Sequence, residues 1–294
     1  FKPCCSAFSE MSLKQKVRDF VCHTGRYPNK RLGQNFLIDA NILPKIVSEA
    51  DIEPVDLVIE IGAGLGFLTS EIVGVARKTV AIEIDSFLCH TLYQQFSSIP
   101  DFTLIEDDVL QLNLSRLFLG YDRKNVKIIG NLPYYASTPI IWKLLKYNQH
   151  IGCCVLMFQT EVARRIVASP GNKDYGALSI GIDYYAKAEI VLHLSPNQFY
   201  PVPKVSSSLV KLTLRPQPKV LVKDEVLFFQ LIRSAFQFRR KMLRNAIEHG
   251  CINLDMEQMN QVFATLKIDS NRRGETLYIS EFAEIANTVT ETTN

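Results

Sequence analysis

The tetrapeptide Asn131-Leu132-Pro133-Tyr134 brings together residue types that can work on a planar ring carrying an exocyclic amine. A side-chain amide oxygen and a nearby backbone carbonyl accept hydrogen bonds from an NH2 group. Pro133 has a locked φ and stiffens the turn. Tyr134 offers a flat face on which a flipped-out base can stack. The same residues would also make a strand-ending turn with a core tyrosine, so the tetrapeptide alone does not decide. It follows the apolar run Val126-Lys127-Ile128-Ile129-Gly130, which reads as a buried strand.

A second unit narrows the chemistry. The strand-like run Leu57–Ile61 ends in Gly62-Ala63-Gly64-Leu65-Gly66, and a helical stretch follows. The next strand-like run, Thr79–Ile82, ends in Glu83-Ile84-Asp85. An acid at the tip of the second strand suits a ribose diol, as in the dinucleotide fingerprint. The third glycine of that fingerprint would fall at position 67, which is Phe67. A nucleoside ligand without phosphates, such as S-adenosylmethionine, therefore fits better than a dinucleotide. Gly62, Gly64 and Gly66 let the backbone approach such a ligand, although a tight strand-to-helix turn would use the same glycines.

The elements that must hold these residues alternate. Strand-like runs recur at Leu57–Ile61, Thr79–Ile82, Phe102–Ile105, Val126–Ile129, Cys153–Phe158, Ala188–Leu194 and Ser208–Leu214. Helical stretches fall at Asn41–Ala50, Phe67–Val75, Phe87–Gln95, Pro139–Lys146 and Glu161–Val167. This pattern predicts an α/β protein with a mostly parallel sheet covered on both faces, closed by a late antiparallel hairpin. Arg215-Pro216-Gln217-Pro218-Lys219 interrupts any regular element and marks a boundary. Beyond it the chain reads as short helices, with Asp224–Asn245 the clearest.

Composition excludes several classes. The 294 residues suit one large domain and a small one. No stretch is apolar and long enough to span a bilayer, and the first residues lack the layout of a secretory signal. The seven cysteines include no C-x-x-C spacing, so neither a metal site nor a redox motif is predicted. An odd number of scattered cysteines fits a reducing cytosol, and Cys153-Cys154 reads as core. The five histidines have no partner motif, and none is a candidate catalyst. A net charge of +3 does not announce a nucleic-acid binder, so distribution matters more. Basic residues gather at Arg26, Lys30 and Arg31, and again at Arg233, Arg239, Arg240, Lys241 and Arg244. The second group is interleaved with the apolar positions Leu231, Ile232, Ala235, Phe236, Met242, Leu243 and Ile247, as on an amphipathic helix. Its bases would face outward, either to phosphates or simply to solvent.

Seven motifs in order resemble the ribosomal RNA small subunit adenine N6,N6-dimethyltransferase family (KsgA-like), nearly end to end. They are Leu32–Leu37, Glu60–Gly66, Glu83, Asp107-Asp108-Val109, Asn131–Tyr134, Phe199–Val205 (Phe-Tyr-Pro-Val-Pro-Lys-Val) and Phe236–Lys241. Phe1 to Glu10 resemble nothing in the family. The resemblance implies a Rossmann-like class I methyltransferase with a seven-stranded sheet and a small C-terminal helical domain. Residues 1–30 would be an N-terminal extension, 31–215 the methyltransferase domain and 216–294 an RNA-binding domain. It implies S-adenosyl-L-methionine as cofactor, held by Asn35, Leu37, Gly62, Gly64, Glu83, Asp108, Val109 and Asn131. Asp108 would accept from the cofactor's adenine amine, with Asp107 the competing choice. Without the family, Asn35 and Leu37 would pass for a loop and a core residue.

Asn131, Leu132, Pro133, Tyr134 and Phe199 would form the catalytic site, Phe199 holding the second face of a flipped base. Without the family, Phe199 reads equally as the buried anchor of a proline-rich loop. Arg239, Arg240, Lys241 and Arg244 would contact RNA. The implied substrate is two adjacent adenosines near the 3′ end of small-subunit ribosomal RNA, dimethylated during ribosome biogenesis. The implied partners are the small ribosomal subunit or its precursor, with the enzyme a cytoplasmic monomer away from membranes. Competing readings are a large-subunit methyltransferase of the antibiotic-resistance type, an assembly factor with secondary methylation, and a DNA adenine methyltransferase. The Leu after Asn131 and the Phe236–Lys241 segment resemble the small-subunit family more. DNA enzymes usually begin the corner with an acid, and here it is Asn131.

Overall fold

A computed structural model describes residues 11–250 and 256–293, with Lys30 and Thr293 described by backbone alone. Phe1 to Glu10 and the Lys30 side chain thus lie outside the described residues. The chain divides into two compact units. The larger holds the described residues up to Ala163 together with Glu189–Leu214, and the smaller holds Arg164–Ala188 with Arg215 onward. One break falls after Leu214, at the start of the Arg215–Lys219 interruption. The return of Arg164–Ala188 to the C-terminal unit was not expected.

The strands are β1 (Phe36–Leu37), β2 (Leu57–Ile61), β3 (Lys78–Glu83), β4 (Phe102–Glu106), β5 (Val126–Asn131), β6 (Cys153–Gln159), β7 (Ala186–Leu194), β8 (Phe199–Tyr200) and β9 (Ser207–Leu214). Seven form one sheet in the order β4-β3-β2-β5-β6-β9-β7. The first five of these pair in parallel, and β9 runs antiparallel to β6. Every residue of β2 is buried, and successive residues point to opposite faces, so both faces of the sheet are covered there. This explains why its sequence is an unbroken apolar run apart from Glu60. The helices of the larger unit are α1 (Leu13–Thr24), α2 (Leu43–Glu49), α3 (Phe67–Ile72), α4 (Ser86–Phe96) and α5 (Ser137–Leu145), and α6 (Thr160–Val167) leads out of it.

Within the expected N-terminal extension, residues 1–30, the described part includes helix α1. Ser12 caps its first turn by accepting the Gln15 N–H at 3.2 Å, and Gly25 ends it in the left-handed conformation. Its buried Val17 packs with Phe36, Leu65 and Leu88.

The smaller unit is helical: α7 (Ala177–Tyr185), α8 (Glu225–Gln237), α9 (Leu243–Glu248), α10 (Met256–Leu266) and α11 (Ile279–Thr293). Its core includes Tyr184, Phe228, Leu231, Leu243, Val262 and Phe282. The helix expected over Asp224–Asn245 is two helices. Phe238 leaves the helical region at φ −118°, ψ 58°. The first N–H groups of α9 then take carbonyls from another loop, Leu243 from Arg272 at 2.7 Å and Arg244 from Ser270 at 3.1 Å. Arg239, Arg240 and Lys241 therefore occupy the bend, not a helix face. Among the described residues no helix is long and apolar enough to cross a membrane.

Candidate active site

The carboxyl ends of β2, β3 and β5, and the loop after β4, meet at one cavity. This is where parallel sheets place ligands. The glycine loop supplies its floor. Gly64 has φ +60°, which a residue with a side chain rarely adopts, and a Cβ there would sit 3.1 Å from the Phe36 ring. Its N–H donates to Glu83 Oε2 at 2.9 Å. Glu83 Oε1 accepts the N–H groups of Ile84 and Asp85, each at 3.0 Å. Burial pushes this carboxyl above the ordinary range, against the pull of those three donors. Its orientation is thereby fixed, and an ionised carboxylate has further lone pairs to offer a diol. Glu60 lies beneath the loop. It accepts the Thr69 hydroxyl at 2.6 Å, and burial raises it to about 8, so it is neutral near pH 7.

After β4, Asp107 and Asp108 both border the cavity beside Val109. Asp107 Oδ1 accepts the Asp108 N–H at 2.7 Å, and Asp108 Oδ1 accepts the Leu110 N–H at 2.9 Å. Lys143 of α5 donates to the carbonyls of Leu110 at 2.8 Å and Leu112 at 2.6 Å, tying this loop to the helix. Sequence reasoning passed over Lys143, because a lysine on a helix ordinarily means a solvated face.

The Asn corner ends β5. Asn131 Nδ2 donates to the Asn35 carbonyl at 2.9 Å. A carbonyl only accepts, so the amide nitrogen is committed there and Oδ1 is left as an acceptor. The Pro133 carbonyl takes the Ala136 N–H at 3.0 Å, closing the turn. Tyr134 is half-buried and its hydroxyl meets Ser207 Oγ at 2.8 Å, while burial pushes its phenol up.

Of the expected site residues, Asn35, Gly62, Gly64, Glu83, Asp108, Val109, Asn131, Leu132, Pro133 and Tyr134 all line this cavity. Leu37 and Phe199 do not. They face each other across the β1–β8 pair and belong to the core with Ile42, Val58 and Leu209. Phe199 is 1% exposed and packs in that core, outside the lining of the cavity. Gln34, Phe36 and Tyr135 line the cavity without having been assigned a role. Gln34 was legible as part of a motif, and its Nε2 donates to Asp85 at 2.9 Å.

In the smaller unit, Arg239 has partners within the protein. Its Nη2 donates to the carbonyls of Lys173 at 2.7 Å and Tyr175 at 3.0 Å, and lies 3.4 Å from Glu275. It braces the 170–176 loop. Arg240 and Arg244 are exposed, and the Lys241 ammonium sits 5.0 Å from the centre of the Phe238 ring.

The sheet order, the glycine loop of β2 and the acid of β3 define a class I methyltransferase. Residues 26–291 match the family of ribosomal RNA adenine dimethylases. A ribosomal RNA small subunit methyltransferase A of Alkaliphilus metalliredigens is 47% identical over 262 residues, covering 89% of this chain and 91% of that relative. One from Clostridium botulinum is 42% identical over 261 residues, covering 89% and 94%. A dimethyladenosine transferase from Plasmodium falciparum superposes with a TM-score of 0.74 at 26% identity, over 87% of this chain and 97% of that one. The 23S rRNA methyltransferase ErmE shares the fold, with a TM-score of 0.65 at 20% identity over 87% of this chain and 99% of its own. This chain belongs to the ribosomal RNA adenine dimethylase family.

Proposed function

We propose that this chain transfers two methyl groups from S-adenosylmethionine to N6 of adenine in small-subunit ribosomal RNA. The observation that carries the reading is the Asn131 amide, whose nitrogen is engaged by Asn35 and whose oxygen remains to accept. The cavity residues fit the cofactor. Glu83 suits the ribose diol, and the Asp107–Val109 loop suits an adenine edge. Phe67 opens α3 where a pyrophosphate cradle would need glycine. When bound, the cofactor supplies an electrophilic methyl group.

The chain's own part is orientation. The lone pair of an adenine amine is delocalised into the ring, so the amine is a poor nucleophile. Accepting its N–H groups at Asn131 Oδ1 and at the Leu132 carbonyl favours a more tetrahedral nitrogen. Leu132 is the better candidate than Pro133, whose carbonyl already takes the Ala136 N–H. Tyr134, pinned by Ser207, stacks on the base. No general base is required, because the methylated nitrogen is acidic enough to lose its proton afterwards.

Relatives named for the small subunit, with more than two-fifths of residues shared, favour that substrate over the large subunit. Labelled methyl transfer to unmodified small subunits, large subunits and naked RNA tests this. Dimethyladenosine is expected from small subunits, and label confined to large subunits would overturn the assignment.

In the smaller unit, Arg240, Lys241 and Arg244 contact RNA phosphates. A triple alanine variant should bind small subunits more weakly and lower the salt slope by about 2–3 units, roughly 0.7–0.9 per lost phosphate contact. Its thermal stability should stay near wild type, whereas Arg239→Ala should melt earlier because three partners lose their cation. An unchanged slope in the triple variant would make the cluster a solvated surface.

A further inference from the structure

Tyr135 directly follows the corner and borders the same cavity, yet it is 60% exposed. Isolated exposed aromatics are common on soluble proteins, so exposure alone means little. Tyr135 differs because its position is fixed. A Cβ built on Gly33 would lie 3.4 Å from Tyr135 Cδ1 and 3.5 Å from Pro133 Cβ. Gly33 has φ +62°, and bare backbone backs the ring there. The Pro133–Ala136 turn closes around Tyr135, and its hydroxyl makes no hydrogen bond among the described residues. Two consecutive tyrosines thus serve different places. Tyr134 is half-buried and anchored by Ser207, while Tyr135 stands at the mouth. The loop that backs it also carries exposed Arg31, two residues before Gly33.

We propose that Tyr135 is a second base-stacking site, which takes the base next to the target adenosine while the target enters towards Asn131 and Tyr134. The proposal rests on reading the cavity as an adenine N6 site. Drawing one nucleotide out of a stack strips a neighbour from each adjacent base, and an exposed ring at the entrance restores a stacking partner. Phe199 lies in the core and does not line this cavity. A base stacked on an aromatic is worth on the order of ten- to a hundredfold in affinity, whatever its sequence. The site therefore recognises the flanking position as a base, and accepts any base.

The probe is a short hairpin RNA whose loop holds adjacent adenosines, with 2-aminopurine in place of the neighbour. Stacking on tyrosine quenches its fluorescence. Wild type and Tyr135→Phe should quench it with similar affinity. Tyr135→Ala should lose the quenching and bind about tenfold more weakly. Calorimetric affinity for S-adenosylmethionine should be the same in all three. Tyr93→Ala removes a tyrosine of similar exposure, 63%, from outside the cavity, and should behave as wild type. Full quenching and affinity in Tyr135→Ala, or no quenching by wild type, would overturn the proposal. The readout does not depend on methyl transfer. A failure of the adenine reading would appear separately, as bound RNA left unmethylated at N6.

Discussion

Asn131→Ala is expected to lower the single-turnover rate of methyl transfer by about 10²–10³-fold, the usual effect of removing one positioned polar group from a reacting centre. The variant loses the Oδ1 acceptor for the target amine. It also strips the Asn35 carbonyl of its donor, but the site is half-buried and water can replace that bond. The stability cost should accordingly be only about 1 kcal/mol. Calorimetric titration should give a cofactor affinity close to wild type, because the glycine loop and Glu83 are untouched. Transfer at a near wild-type rate would mean that the corner is only a turn, and the proposed mechanism would fall with it.

Glu83→Ala should have the opposite signature, with cofactor binding lost first. The side chain satisfies three backbone N–H groups, those of Gly64, Ile84 and Asp85, at a buried site. Hydrogen bonds to a charged acceptor contribute about 1.5–3 kcal/mol each, so the loss should lower thermal stability as well as weaken S-adenosylmethionine binding by about 100-fold. Glu83→Gln keeps the shape, but its NH2 must confront one set of backbone donors, and it should fall between. Because burial raises the Glu83 carboxyl, wild-type cofactor affinity should also weaken earlier on acidification than an ordinary carboxylate would allow. A Glu83→Ala protein that binds S-adenosylmethionine and S-adenosylhomocysteine as tightly as wild type would remove Glu83 from the cofactor site.

Much of the larger unit was legible because its signals are local. β2, its glycine loop and β3 follow one another in sequence, and the apolar runs that predicted these two strands are buried in the sheet. The Asn corner was legible for the same reason. What escaped depends on distant partners. α7 shows no amphipathic period, since Leu178 through Ile182 are all buried. Its return to the C-terminal unit, from before β7, leaves no mark in composition. Arg239 reads as a surface cation until the carbonyls of Lys173 and Tyr175 fold beneath it, more than sixty residues away in sequence. Phe199 pairs with Leu37 in a two-residue ladder, a contact across more than 160 residues that no local signal shows. Lys143 carries no motif and is recognisable only once the Leu110 and Leu112 carbonyls are in place.

The packing of Val17 on Leu65 separates two properties that sequence comparison treats as one. Leu65 lies inside the glycine loop, between two of the glycines that give that loop its shape. The cavity is lined by residues of the loop itself, while α1 supports the loop through Leu65 without contributing a residue to that lining. Drift in the apolar face of α1 can therefore change the support of the cavity's floor without altering a single residue that lines the cavity. Temperature adaptation has a handle here that leaves catalysis alone.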